Sequence, residues 1–427
     1  MKKILVLLVI IIAFSQSTHI DNCLAQWVYQ YTAVQYSLLN KIQFPTENVG
    51  YAVGEQPQSP RSVFLKTTNS GINWMNMNIS LSFPTDLIEM SFVNENTGYI
   101  CGRSIDIYKT TNGGLNWITI PVPYYDNQIW NSMQFLDANT GFVAGRYGLS
   151  VKTTNGGLNW TAMDTAYSSV YDLYFLNGST GFMGDGSSHV LKTTNGGNNW
   201  STTYLTDTNG TGYSLQKIDF ANNNTGYVVG INTVTGAIFK TTDNGNTWKN
   251  ILISSNGLFC IKVVNYSNLY VTGENNNVLY SSNFGNSWIN QIVPTSQGTM
   301  NSICFSNSTT GYLTVANEIY KTTNGGVRIV NISTEIPNEF KLYQNYPNPF
   351  NSSTKIKFQI NKKDRIKILL FDIKGAEISP KGGLVNEYLD PGVYEYLLNS
   401  DNLTSGLYFC KFVTNNKSET IKLMIIK

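Results

Sequence analysis

At 427 residues the chain exceeds what one compact core supports, so two or more domains are expected. Charged residues make up 13% and aromatics another 13%, and 29 basic side chains face 27 acidic ones for a net charge of +2. That balance excludes a broad electrostatic case for nucleic acid as a partner, and the wealth of Asn, Thr, Ser and Gly suits an extracellular β protein better than a cytosolic enzyme.

The chain opens as a secretory leader. Met1, Lys2 and Lys3 form a positive start, and residues 4–14 make an apolar run of 11. The run is too short to span a bilayer comfortably, and small and polar residues follow it. Cleavage sites are offered after Ser15 and after Ala25; the second is preferred, giving a signal peptide over residues 1–25. Cys23 lacks the small-residue pattern that precedes a lipoprotein acceptor. No later segment is long and apolar enough to cross a membrane. Cys101, Cys260, Cys304 and Cys410 have no CxxC spacing and do not read as a zinc site. Cys101 and Cys304 lie in strand-like runs and read as buried thiols, while a bridge between Cys260 and Cys304 stays open.

From residue 44 one unit recurs. Lys-Thr-Thr-Asn-Gly-Gly-Leu-Asn-Trp stands at residues 109–117 and again at 152–160, with variants ending at Trp74, Trp200, Trp248 and Trp288. The Trp spacings are 43, 43, 40, 48 and 40 residues. A period of about 40–50 residues holding several short strands predicts a β-propeller. Each unit begins with strand, polar turn, strand: residues 92–102 read Phe-Val-Asn-Glu-Asn-Thr-Gly-Tyr-Ile-Cys-Gly, and residues 135–145 and 220–230 repeat the plan. Asn and Asp bond their own backbone in such turns, and Gly supplies φ > 0. Seven units start at Phe44, Phe92, Phe135, Phe175, Phe220, Val263 and Phe305. The seventh loses its Trp, while Trp27 precedes the first unit unclaimed. The expectation is that the Trp27 strand completes the last blade and closes the ring.

The second half of each unit carries a tight turn before the Trp. Residues 241–248, Thr-Thr-Asp-Asn-Gly-Asn-Thr-Trp, resemble the Asp-box, or BNR repeat, of sialidase-like propellers. Asn69, Asn112, Asn155 and Asn195 stand where Asp243 does. The combination with Thr-Gly-Tyr/Phe-x-x-Gly is similar to photosystem II stability and assembly factors. In that family the Asp-box shapes the fold and lies far from any active site, so the resemblance implies architecture and leaves function open.

After Ile336 the composition changes. Residues 340–351, Phe-Lys-Leu-Tyr-Gln-Asn-Tyr-Pro-Asn-Pro-Phe-Asn, closely resemble the opening of the type A sorting domain of the type IX secretion system. Residues 366–375, 389–396, 403–409 and 422–427 match further elements of that domain in order. Alternation over residues 354–360 and 365–370 independently predicts a small Ig-like sandwich. The resemblance implies an export address, usually removed at the outer membrane, with the remainder released or attached to surface lipopolysaccharide. The expected layout is all-β: a seven-bladed propeller over 26–330, a linker over 331–341 and the sorting domain over 342–427.

Catalytic chemistry is not declared. A sialidase needs an arginine cluster, yet the propeller holds only Arg61, Arg103, Arg146 and Arg328. No carboxyl pair announces a glycosidase. His189 is the one histidine after the leader, and no nucleophile-elbow motif accompanies it. No cofactor is implied, and no cluster has metal-ligand spacing.

One face gathers the candidates. Loops joining strand two to strand three, and blade to blade, emerge opposite the Asp-box turns. They carry Arg103 and Arg146, with Glu55, Asp185 and Glu274 at comparable places, and the blade-joining aromatics Tyr124, Tyr125, Trp130 and Tyr167. Aromatics among charged and amide groups suit a sugar or peptide ligand. The favoured expectation is a secreted, surface-associated binding or adhesion protein, with a glycan or surface protein and the type IX machinery as partners. A diverged extracellular glycoside hydrolase and a structural surface-layer component are the other readings.

Overall fold

The computed structural model describes residues 27–426 except 58–61, 78, 80, 82–84, 105, 123–128, 164–167, 266, 296–297, 324, 326–328, 334, 352, 380–383 and 401–402. The expected signal peptide lies outside the described residues. Among those described, the only helical turn is a 3-10 turn at Arg146–Gly148, and no helix is long and apolar enough to cross a membrane.

Seven four-stranded antiparallel sheets succeed one another from Val28 to Thr322. Their first strands are Leu38–Gln43, Leu87–Phe92, Trp130–Phe135, Val170–Phe175, Ser214–Phe220, Leu258–Val263 and Met300–Phe305. Each first strand packs on the next, and the seventh packs on the first, so the sheets close into a ring of blades. The last blade takes its outer strand from the start of the chain: Val28–Thr32 pairs with Glu318–Thr322. Trp27 is buried edge-on to Phe305 at 6.3 Å, the place Trp74 fills against Phe44 and Trp160 against Phe135. Its Nε1 donates to Gln291 Oε1 at 3.0 Å. Closure removes an edge that would otherwise accept a foreign strand.

The repeated phrase encodes the seam between blades. The aromatic after the turn glycine stacks on the Phe of the next blade: Tyr51 on Phe92 at 3.8 Å, Tyr99 on Phe135 at 3.4 Å, Phe142 on Phe175 at 3.5 Å and Tyr312 on Phe44 at 3.7 Å. Each such pair contributes about 0.5–1.5 kcal/mol beyond its buried area. The glycine is required because a Cβ at Gly98 would lie 2.4 Å from the Phe92 ring. The tyrosine hydroxyl crosses the seam as well. Tyr51 donates to Glu95 O at 2.7 Å and Tyr99 to Ala138 O at 2.8 Å, and burial pushes both phenols up to about 12. The Lys of the phrase reaches across too: Lys66, Lys109 and Lys152 donate to the carbonyls of Gly113, Gly156 and Gly196.

The Asp-box closes its own turn. Asp243 Oδ1 accepts Thr247 N at 2.9 Å and Oδ2 accepts the Thr247 hydroxyl at 2.6 Å, while Gly245 N donates to Thr241 Oγ1. Asn112 does the same work with Asn116 N at 2.9 Å. Gly113 N then bonds Asn96 O, and Gly156 N bonds Asn139 O, so both turns of a blade share one face.

The C-terminal part is two four-stranded sheets around one core, including Ile356, Phe358, Ile366, Ile368 and Phe412. One sheet holds Val385–Leu389, Asp364–Phe371, Gly406–Val413 and Ser418–Ile425; the other holds Lys341–Leu342, Ser353–Ile360 and Gly392–Asn399. Its fourth strand corrects the expected boundaries. Ile329–Ser333, placed by sequence across the propeller end and the linker, is an edge strand on Gly392–Asn399. The pairing runs Ile329 to Tyr396, Val330 to Glu395 and Asn331 to Tyr394. The described cysteines are free thiols, and no bridge joins Cys260 to Cys304.

Candidate functional site

The loop face is built where strand two ends. Gly102 and Gly145 close that strand in direct contact with the blade-joining loop: a Cβ would lie 1.9 Å from Asp86 O and 2.1 Å from Ile129 O, respectively. The next residue then bonds the same carbonyl, Arg103 N to Asp86 O and Arg146 N to Ile129 O, both at 3.0 Å. Gly186 N to Ser169 O and Glu274 N to Gly257 O repeat the device. Two loops of every such blade are thus pinned side by side.

The described members of the expected set are spread over several blades. Arg103 lies between blades one and two, with its guanidinium 3.7 Å from Asp86 and 3.9 Å from Glu55. Arg146 is exposed on blade three, in the 3-10 turn. Glu274 stands apart on blade six, where its Oε2 accepts Gly257 N at 2.9 Å. Asp185 is corrected from a ligand group to a turn-former: it is buried, Oδ1 accepts Ser187 N and His189 N, and Oδ2 meets His189 Nδ1 at 3.0 Å. Trp130 is also corrected. It is 0% exposed, in one buried cluster with Val143 and Val151, and opens its strand where the other blades place Leu39, Leu87 or Val170. Tyr124, Tyr125 and Tyr167 lie outside the described residues.

Three aromatics escaped the sequence reading. Tyr147 is 73% exposed, Tyr171 41% and Tyr204 59%, all on blades three and four. Tyr147 has a φ of 58° and its N–H donates to Ser169 Oγ at 3.2 Å. Tyr171 lies over the turn after strand two of blade four, for a Cβ at Gly186 would be 3.0 Å from its ring. Tyr204 lies beside His189 with ring centroids 5.4 Å apart. Between them Ser187 Oγ bonds Ser168 Oγ at 3.0 Å.

Beneath the loops the innermost strands carry a second feature that the sequence reading missed. Every blade has an irregularity near the start of its first strand, followed by one residue of a shared slot: Lys41, Glu89, Ser132, Asp172, Lys217, Cys260 and Ser302. Asp172 accepts Ser132 Oγ at 2.8 Å, Ile218 N at 2.9 Å and Lys217 Nζ at 2.6 Å. Lys217 also approaches Glu89 of blade two, at 3.8 Å, and Glu89 meets Lys41 at 2.8 Å. Lys262 pairs with Asp219 at 2.7 Å. Burial pulls the Lys217 amine down, yet Asp172 and Glu89 outweigh it and hold the ammonium well above an ordinary lysine. Three lysines and three carboxylates so neutralise one another around the axis. They join blades four, five and two across it, and they are committed to structure.

Comparison with known proteins agrees with both halves. Residues 66–167 and 162–256 match the family of the photosynthesis system II assembly factor YCF48, and residues 344–427 match the secretion system C-terminal sorting domain. YCF48 bound to a D1 peptide superposes with a TM-score of 0.58 at 17% identity, covering 70% of this chain and 96% of that one. YCF48 from Cyanidioschyzon merolae gives 0.55 at 16% identity, covering 70% and 98%. PorZ, a surface component of the type-IX secretion system of Porphyromonas gingivalis, gives 0.54 at 12% identity, covering 90% of this chain and 59% of PorZ. At these identities the likeness is one of fold. No curated protein matches the chain. The chain is an Asp-box β-propeller joined to a C-terminal sorting domain of the type IX secretion system. It is therefore a protein of the export route to the cell surface or beyond.

Proposed function

We propose that this is a surface-displayed binding protein whose propeller recognises an extracellular glycan or protein through its loop face. One observation carries the reading. The turn face and the seams repeat the same contacts blade after blade, whereas the pinned loops differ: Arg103 with Glu55 and Asp86, the Arg146–Gly148 turn, the Asp185–His189 turn, and Glu274. Variable loops on a rigid frame are where binding residues concentrate. A glycosidase would need two carboxyls facing one cleft. Asp86 and Asp185 are instead buried, the first beside Arg103 and the second against its own turn.

The test uses the purified full chain on a glycan array and against immobilised outer-membrane proteins. Saturable binding should weaken on Arg103→Ala or Arg146→Ala and survive Leu158→Asn, a change on the turn face. Binding that is lost equally through the turn-face change, or no saturable binding at all, defeats the proposal.

A further inference from the structure

We infer that blades three and four carry a carbohydrate subsite, a shelf of Tyr147, Tyr171 and Tyr204 edged by Arg146, His189 and two serine hydroxyls. The inference rests on the loop-face reading and narrows it to one sector and one ligand class.

The loops that carry the shelf are tied together. Ser169 ties its two halves, accepting Tyr147 N on its hydroxyl at 3.2 Å and Gly186 N on its carbonyl at 3.0 Å. Gly186 leaves room for the Tyr171 ring and Ser168 Oγ, which would stand 3.0 and 3.6 Å from a Cβ there. Two residues on, Ser188 reaches Tyr213 O, and the Tyr204 hydroxyl lies 2.9 Å from where a Cβ of Gly212 would be. Tyr171 sits at the inner end, on the first strand of its blade, and Tyr204 at the outer end, on the fourth. An elongated ligand lying radially would meet both.

The repeated seam contacts do not use these rings. The seam tyrosines Tyr51, Tyr99, Tyr227 and Tyr312 are buried, while Tyr29 and Tyr36, by the closing strand, are exposed as well. Tyr147 instead occupies a left-handed backbone position that a bulky residue adopts at a cost. Large amphipathic rings left in water mark contact surfaces.

The polar groups around the rings fit a sugar. The Ser168 and Ser187 hydroxyls both donate and accept, as sugar hydroxyls require. Arg146 adds a fan of donors. The Asp185 carboxylate holds the His189 ring at Nδ1, and Nε2 makes no hydrogen bond among the described residues. Flat rings with interleaved donors and acceptors suit the apolar faces and equatorial hydroxyls of pyranoses. A peptide strand would instead call for a row of free backbone groups, and here the backbone N–H groups of Tyr147, Gly186, Ser187 and His189 are all used.

The test is titration of the full chain with a panel of defined hexasaccharides (β-glucans, chitin, mannan and xylan fragments), beside immobilised outer-membrane proteins. Saturable binding to a panel member should fall about tenfold or more in Tyr147→Ala and in Tyr204→Ala, the scale of one lost ring contact. Tyr204→Phe should keep most of the affinity, because the ring supplies the contact, and Leu158→Asn on the turn face should leave it unchanged. All three tyrosine variants change exposed side chains, and an unchanged melting curve confirms folding. Sugar binding that Arg103→Ala abolishes and the tyrosine variants leave intact overturns the subsite and keeps the loop-face reading. Protein binding through the loop face with no sugar binding does the same. Binding to neither, or binding indifferent to both sets of variants, overturns the subsite and the reading together.

Discussion

Replacing Asp172 by Ala should be the most damaging single polar change in the propeller. Its carboxylate is buried and serves three donors from the two neighbouring blades: Ser132 Oγ on one side, Ile218 N and Lys217 Nζ on the other. Removal leaves Lys217 with only Glu89 at 3.8 Å and leaves the Ile218 N–H without its acceptor. Breaking one side of a buried ion pair costs about 3–5 kcal/mol, because the surviving charge stays in the interior. A propeller of roughly 300 residues unfolds with an entropy of about 0.6 kcal/mol/K, taking about 2 cal/mol/K per residue. The melting midpoint should therefore drop by about 5–8 °C in differential scanning calorimetry of the full chain. Combining Asp172→Ala with Lys217→Met removes the stranded cation and should recover half of the loss or more, since apolar replacement of both partners is often nearly neutral. A single-variant shift below about 2 °C, or a double variant no better than the single, would refute the idea that the pair holds the axis together.

The other perturbations probe the seam, the Asp-box and the thiols. Phe135→Ala removes a ring stacked on Tyr99 at 3.4 Å and met edge-on by Trp160, and should cost about 3–5 kcal/mol; a urea midpoint within error of wild type would contradict this. The Thr247 hydroxyl and N–H hold the Asp243 carboxyl down to about 2. A depressed folded value means stability present above the unfolded value near 3.9 and lost as pH falls through 2. Asp243→Asn should then be less stable than wild type at pH 6, with the gap closing between pH 4 and 2; a gap that stays constant across that window disproves the linkage. Burial pushes the thiols of Cys101, Cys260 and Cys410 up, so iodoacetamide at pH 8 should label them only after unfolding. Rapid labelling of the native chain would show that these interiors open.

The frame was legible because its contacts are repeated in the sequence. Phe, Gly, Tyr, Lys and Trp recur at fixed places, and each proves to touch the neighbouring blade or its own turn. Even the closure was readable, from one Trp too many at residue 27 and one too few after residue 321. The axis was not, because its positions carry different chemistry in each blade: Lys41, Glu89, Ser132, Asp172, Lys217, Cys260 and Ser302 share a place in the strand and nothing else. Alignment of the units on that slot reveals it, since six of the seven are charged or hydroxylic. The same alignment corrects Trp130, which falls on the slot of Leu39 and Leu87 and so belongs to the core. Asp185 was misplaced for another reason. An Asp two residues before a Ser in a short loop caps its own turn, and the local bond wins over a ligand. Tyr147 and Tyr171 carried no signal, because their exposure depends on a positive φ and on a strand irregularity that composition does not report.

The two chain ends add a directional argument. The N-terminal strand is spent on sealing blade seven, so the ring is complete without anything from the sorting domain. The chain leaves blade seven after Thr322 through its last Asp-box turn, where Gly325 N bonds Thr309 O. That is the same turn-to-turn bond by which Gly113 meets Asn96, so Gly325 lies on the turn face. The strand Ile329–Ser333 then enters the C-terminal sheet within a few residues. At Gly325 the chain thus lies on the face whose residues are occupied in repeating turns. The opposite face, with its unlike loops, is the one that needs no part of the export handle. The proposed recognition surface is the face opposite Gly325, and a ligand found to need the Asp-box tips would break that proposal.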